Sequence, residues 1–560
     1  MKQISARSIG VAGTLSLALL AAACSSDTGN SSAPASTAPP SSGTSAASSA
    51  PVEPLGKYDP PIDMTFVKVI DQSTKFKEGE SIDNNAWTKI YKERLGINVK
   101  FDWTVTGTED QYFQKLNVSI ASGTIPDSFM VNAQTLAKLV EAGQIEDLTP
   151  VFEKYLSANS RDLFYADGGR ALKAATFGGK LMALPSIQSE IDNTFVLWVR
   201  TDWLKKLNLP EPKTMADVFK ISEAFTNQDP DGNGKKDTFG LGVDKLLWDG
   251  FPGLDGFFNS FHAYPNMWVP DASGKLVSGN TQPEMKAALA KLQEMYKAGQ
   301  IDKEFGIKDS AKVAESLNSG KLGMYYGQAW TPLWPMQDGK NLDPGMEWQA
   351  YPLPSIDGKP AKAQSTFPIK QYFVVKKGFK HPEALVKLMN LWKDNEIKDN
   401  EKIYGQDGGI PIFKYAVTAG ADPHQNLKAY LKVDETLKSK DTSKLTPGEK
   451  IGYDNIQKFL NGDQKLWGNY LVFGPNSSYS IINKYLADKL IQYDAFYGAP
   501  TETMGEKTAA LNKLQLESFT KIIMGEAPID NFDKYVNDYN KLGGEQMTQE
   551  VNAWYAKQAK

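Results

Sequence analysis

Between residues 64 and 141 the chain alternates strand-like and helix-like patterns, and this alternation restricts the fold more than any other feature. Met64–Asp71 is a β-rich run, Ile97–Val105 a second and Asp127–Val131 a third. Between them, Asp83–Leu95 sets Trp87, Ile90, Tyr91 and Leu95 on one helical face. Glu109–Ala121 does the same with Tyr112, Phe113, Leu116 and Ile120, and Gln134–Glu141 follows as a third helix. A βαβαβ order predicts a doubly wound α/β lobe with a parallel sheet and right-handed crossovers. Ligands in such sheets sit beyond the carboxyl ends of the strands, which makes Asp71, Gln72, Asn132 and Ala133 rim positions.

Several chemistries are excluded early. No G-x-G-x-x-G follows the first strand, no G-x-x-x-x-G-K-[ST] occurs, and no G-x-S-x-G elbow occurs. These absences argue against a dinucleotide site, P-loop ATP hydrolysis and an α/β-hydrolase nucleophile. The charge balance, 62 Lys and Arg against 66 Asp and Glu, offers no basic face for nucleic acid. A single cysteine rules out an intrachain disulfide and a cysteine zinc site, and the three histidines lack metal-ligand spacing.

The chain continues with an amphipathic helix at Glu284–Ala298, a short buried strand at Gly323–Tyr326 and a Pro/Gly-rich connection over 338–365. Gln371–Val375 reads as a strand, His381–Trp392 as a helix, and the tail from Thr501 as mostly helical. No repeat of solenoid period is present.

The N-terminus carries an export pattern. Lys2 and Arg7 precede the apolar run of residues 9–23, which is too short to span a bilayer and reads as a signal peptide. Cys24, the only thiol, follows Ala21, Ala22 and Ala23 in a way that resembles a bacterial lipobox, although Leu20 stands four residues before it rather than three. The alternatives are lipidation at Cys24 or an ordinary signal peptide with an incidental cysteine. Residues 25–54 are rich in Ser, Ala and Pro, with only Asp27 and Glu53 charged, a composition that reads as a disordered tether.

One loop has metal-binding spacing. Asp229, Asp231, Asn233 and Asp237 place oxygen donors at positions 1, 3, 5 and 9, with the Lys235 carbonyl at 7 and Gly234 at 6. These are the first nine positions of an EF-hand-type loop, and they predict a structural Ca²⁺. Position 12 is Gly240 rather than the bidentate Glu, so any closing ligand comes from elsewhere. The alternative is an ordinary polar Asx/Gly turn.

The sequence resembles the carbohydrate-type extracellular solute-binding lipoproteins of ABC importers. The resemblance rests on Phe195–Pro212, the calcium loop running into Thr238–Leu241, Lys297–Phe305, Gly320–Gly327, Tyr404–Gly408 and the tail Leu514–Tyr555. It implies a periplasmic-binding-protein-like α/β fold: two lobes around a cleft, joined by hinge segments, the second lobe helix-rich. On that basis residues 1–23 are the signal peptide and 24–56 the lipidated Cys24 and tether. Residues 60–190 with about 366–425 form the first lobe, and about 191–365 with 426–560 the second. The implied function is capture of a sugar at the extracellular face of the membrane and its delivery to a permease. The implied protein is a non-catalytic monomer, held to the membrane by its lipid alone and without a nucleic-acid partner.

A sugar offers an apolar C–H face and a rim of hydroxyls, so its site needs flat aromatics beside short polar groups. Trp248–Trp268 holds seven aromatics broken by Gly and Pro, and Gln328 and Trp330 follow a strand directly. Trp330, Gln328, Trp268, Trp248, Asn132 and Gln72 are therefore the candidate ligand residues, against core packing for each aromatic alone. A lipid-anchored glycosidase and a same-fold receptor for a non-sugar solute are the competing readings. The former needs two carboxylates about 5–10 Å apart, and no local motif marks them.

Overall fold

The computed structural model describes residues 52–70, 74–248, 250–397, 406–407 and 410–558. The signal peptide, Cys24, almost all of the tether, and the rim positions Asp71 and Gln72 lie outside the described residues. The strands that matter here are β1 (Ile62–Ile70), β2 (Ile97–Thr106), β3 (Ser128–Asn132), β4 (Leu184–Pro185), β5 (Phe195–Arg200), β6 (Phe239–Leu241), β7 (Leu322–Gln328), β8 (Trp348–Tyr351) and β9 (Gln371–Val375).

The opening pattern folds largely as its periodicity predicts. β1 and β2 pair in parallel from Ile62↔Ile97 to Ile70↔Thr106, with a register shift between Phe66 and Val67. The intervening helix starts at Ala86, three residues late, because the Asn85 side chain caps it by accepting the Trp87 and Thr88 N–H groups. Trp87, Ile90, Tyr91 and Leu95 are all buried.

The expected all-parallel sheet is corrected at its third strand. β3 is antiparallel to β9, which returns from far along the chain, and β9 pairs antiparallel with β4 on its other side. Tyr372, Phe373, Val374 and Val375 are buried, which suits a central strand. β1 reaches β3 instead through Asp127, whose Oδ2 accepts the Thr65 N–H at 2.8 Å.

Two hydrophobic cores result. One is built from Met64–Ile187 and Ile369–Ala416 around Trp87, Tyr91, Tyr112 and Trp392. The other draws on Ile191–Ala363 and Leu427–Val551, around a sheet in the order β8-β5-β7-β6. All six residues of β5 are buried, so this strand is the second core's centre. The tail helix Glu502–Met524 lies against Glu284–Lys297, where Gln293 Nε2 donates to the Ala527 carbonyl at 3.0 Å.

Three stretches cross between the cores and lie side by side. Ala421 N–H donates to the Ile187 carbonyl at 2.8 Å, Glu190 N–H to Pro423 at 3.2 Å, and Ser365 Oγ to the Glu190 carbonyl at 3.3 Å. Arg170 of the first lobe pairs with the buried Glu190 and stacks its guanidinium 4.6 Å from the Tyr493 ring of the second. Among the described residues no helix is long and apolar enough to cross a membrane.

Candidate functional site

On the second lobe, the site begins where β7 ends. Gln328 pairs with Phe195, the first residue of β5, so the turn after β7 emerges next to the crossing stretch that feeds β5. Two adjacent residues fix it there: Ser478 Oγ donates to the Ala329 carbonyl at 2.9 Å, and the Tyr479 hydroxyl donates to Asp192 at 2.6 Å.

In that turn Trp330 and Gln328 come together, the indole N–H donating to Gln328 Oε1 at 2.6 Å. Trp334 stacks on Trp330 with centroids 6.5 Å apart and planes at 16°, and meets Phe251 edge-on at 5.7 Å. Trp330 is half-buried while Trp334 is 40% exposed, so the pair offers an open aromatic face next to an amide. Gly250 makes this possible: a Cβ there would lie 2.6 Å from Gln328 Oε1 and 3.3 Å from the Trp330 ring. The sequence reading missed Trp334. Its only local signal is the four-residue spacing from Trp330 within a Pro-flanked turn.

The other aromatic candidates sit elsewhere. Trp248 packs on Phe258 at 5.4 Å and Phe519 at 6.3 Å. Trp268 is 8% exposed, and its backbone N–H donates to Asp494 Oδ1 at 3.1 Å. It lines a separate cavity of about 300 Å³ with Asn280, Asp494 and Tyr539. Neither ring joins the Trp330 platform.

On the first lobe, cavities of about 220 and 600 Å³ open at the end of β1. Lys68, Glu109 and Gln371 line both, and Ser186, Gln188 and Thr418 of the crossing stretches line the smaller. Asn132 is a helix cap here: its Oδ1 accepts the Thr135 N–H at 2.8 Å, and Ala133 opens that helix.

The metal-type loop is tightly wound on its own donors. Asp229 accepts the N–H groups of Gly232, Asn233 and Gly234, each at 3.0 Å. The Asn233 amide donates to Asp231 at 2.7 Å and to Asp237 at 3.1 Å. Burial, the hydrogen bond shared with Asp229 and the charge of Asp237 raise the Asp231 carboxyl. Among the described residues no three His, Cys, Asp or Glu side chains already converge on one point. Position 12 cannot take a Glu, because a Cβ on Gly240 would lie 2.1 Å from Ser222 Oγ and 2.5 Å from its carbonyl oxygen.

Two separately cored lobes, joined by adjacent crossing stretches and carrying an aromatic platform and a polar cavity beside them, define a periplasmic-binding-protein-like receptor fold. The chain belongs to the bacterial extracellular solute-binding protein family, whose sequence pattern matches residues 86–431. It is similar to lipoprotein LipO of Bacillus subtilis, 24% identical over 481 residues, covering 84% of this chain and 89% of the relative. The polygalacturonan/rhamnogalacturonan-binding protein YtcQ of Bacillus subtilis is 23% identical over 459 residues, 80% of this chain and 83% of its own. FusA, a fructooligosaccharide ABC transporter substrate-binding protein of Streptococcus pneumoniae, is 27% identical over 252 residues, 42% of this chain and 46% of its own. The solved structure of a FusA EF-hand mutant with fructo-nystose matches the fold with a TM-score of 0.56 at 16% identity, covering 89% of this chain and 99% of that one.

Proposed function

We propose that the chain captures an oligosaccharide outside the cell and delivers it to the permease of an ABC importer, without catalysing a reaction. The observation that carries this reading is the Trp330–Trp334 pair with Gln328 beside the crossing stretches. A flat indole face covers the C–H face of a sugar, and an adjacent amide can both donate to and accept from its hydroxyls. Family membership and the sugar named for the relative YtcQ support it.

In this reading residues 60–190 with about 366–425, and about 191–365 with 426–560, move as the two walls of the cleft. Cys24 carries a lipid, residues 25–56 tether the monomer to the outer face of the membrane, and Asn132 stands at the edge of the first-lobe wall. Asp229, Asp231, Asn233, the Lys235 carbonyl and Asp237 hold a structural Ca²⁺. The placing of three carboxylates, one amide oxygen and one carbonyl within nine residues supports the last point.

The test is a thermal-shift and calorimetric screen against an oligosaccharide panel, with product analysis of the same mixtures. Stabilisation without turnover supports a receptor. Cleavage of a bound sugar would favour a glycosidase, and stabilisation by no sugar would favour a non-sugar solute.

A further inference from the structure

The cavity of about 300 Å³ beside Trp268 stands apart from the aromatic platform. It lies among the antiparallel pair Trp268–Pro270 and Leu276–Ser278, the tail helix Glu502–Met524 and the segment after Tyr493. Its volume is at the lower end of what holds a small molecule. Asp494 is the one carboxylate in its lining among the described residues, and no Lys, Arg or His lines it.

The two oxygens of Asp494 are used unequally. Oδ1 accepts the backbone N–H groups of Trp268 at 3.1 Å and Phe496 at 3.0 Å. Oδ2 accepts from no described group and forms no ion pair, yet it is not sealed: the residue is half-buried and this oxygen keeps contact with solvent. Arg170 acts on the carboxylate from a distance, but its guanidinium is paired with Glu190. The backbone therefore accounts for one oxygen, and the other faces the cavity without a counter-ion. A charge drawn out of water in this way is costly until a partner reaches it.

The rest of the lining narrows the partner. Trp268, Phe496 and Leu511 are buried and give aromatic and apolar walls. Thr508 and Asn512, four residues apart on the tail helix, are exposed at the mouth, and neither side chain is bonded to a described group. A carboxylate oxygen beside aromatic faces suits an ammonium, which gains from both. An anion would be repelled, and a bare metal ion asks for oxygen ligands on all sides.

We propose that this cavity is a second ligand site, distinct from the sugar platform, which takes a small organic ammonium with its charge on Asp494 Oδ2 and its apolar body against Trp268 and Phe496. The site does not depend on the receptor reading above. Burial raises the free Asp494 carboxyl to about 7, and a bound cation would hold it ionised. The other ionisable group of the lining, Tyr539, shares a hydrogen bond with Ser278 at 3.1 Å and is held above its ordinary range by burial, so Asp494 is the lining group that titrates near neutrality.

The experiment is calorimetric titration of the intact protein with choline, ethanolamine and butylamine, each beside a neutral counterpart: dimethylbutanol, ethanediol and butanol. At about pH 8 at least one ammonium should bind roughly tenfold or more tightly than its counterpart. Choline keeps its charge at every pH, so its affinity reports on the protein alone. It should tighten about tenfold between about pH 6 and about pH 8, as a carboxyl near 7 ionises. Asp494→Asn keeps the Oδ1 acceptor and removes the charge, and should abolish both the ammonium preference and the pH dependence. Should Asp494→Asn not fold, Thr508→Arg sets a rival cation at an exposed helix position by the mouth and should weaken choline binding about tenfold. Neutral counterparts binding as tightly as the ammoniums, choline affinity independent of pH, Asp494→Asn keeping full affinity, or binding of none of the three ammoniums overturns the proposal. Each of these outcomes leaves the sugar-receptor reading standing.

Discussion

Trp334→Ala separates ligand binding from folding more cleanly than any other change in the platform. The side chain is 40% exposed, so of the roughly 250 Å² a tryptophan presents, about 100 Å² is open to solvent. A sugar ring covering half of that, with an equal apolar area of its own, would remove about 100 Å² from water. At about 25 cal/mol per Å² this is about 2.5 kcal/mol. Truncation forfeits half to all of it, so Kd should rise about tenfold to seventyfold. The other 150 Å² or so is buried, on Trp330 and Phe251 among others, and losing it costs up to about 3–4 kcal/mol, which in a chain of this length lowers the melting temperature by only a few degrees. The assay is titration with the tightest sugar, paired with thermal melts of the free proteins. A melting temperature within about 3 °C of the original, with the expected loss of affinity, supports the platform. Unchanged affinity would refute it, and a large fall in melting temperature would mean that Trp334 is a packing residue.

Chelation should lower the melting temperature, since an ion held at a hundredfold excess over its Kd contributes about 2.7 kcal/mol, and Asp231→Ala should abolish that sensitivity. An unaltered melt after chelation, with no calcium after dialysis, would reassign the loop as a polar turn. Burial raises the Asp494 carboxyl to about 7, opposed by the N–H groups of Phe496 and Trp268 and the charge of Arg170. The folded state then holds a proton the unfolded state has lost. The resulting stability is present below about pH 4 and falls away as pH rises toward 7. Asp494→Asn should flatten that slope, and an unchanged pH profile of melting would remove the assignment. Arg170→Met leaves Glu190 buried without its cation, which typically costs about 3–5 kcal/mol, and Glu190→Gln in the same chain should recover part of it. No recovery in the double variant would mean that the loss came from packing on Tyr493. A ligand that touches both lobes selects the closed state, so saturating sugar should reduce the radius of gyration in small-angle scattering. An unchanged radius at saturation would count against closure.

What could be read in the chain, and what could not, follows the range of the interactions concerned. β1, β2 and the helices between them write their burial into a period of two or about 3.6, and these segments appear within a few residues of their predicted bounds. The spacing of the metal-type loop can be picked out because all its oxygen-bearing residues lie within nine positions, and the segment folds as a compact turn on its own hydrogen bonds. The partner of β3 was not. β9 lies some 240 residues further on, and nothing in Ser128–Asn132 says that its neighbour runs antiparallel. Trp268 and Trp248 show the same limit from the other side. An aromatic in a Gly-interrupted loop looks alike in sequence whether its ring meets solvent, packs on Phe519 or lines a separate cavity.

The two walls of the candidate site differ for this reason. The platform is local: Gln328, Trp330 and Trp334 lie within seven residues, so part of it could be picked out by composition. The first-lobe cavity is assembled from the end of one strand, the start of another and a crossing stretch more than 340 residues away, where Lys68 meets the Ala416 carbonyl. A lysine in a strand and a threonine in a connection carry no mark of their own in sequence. They become informative only once folding has buried them, because water can no longer satisfy what the protein leaves unpaired. The hydroxyls of Ser128 and Thr418 are the specific case. Their oxygens are closed to solvent as well, so they mark where folding strands a polar group rather than where a ligand is held.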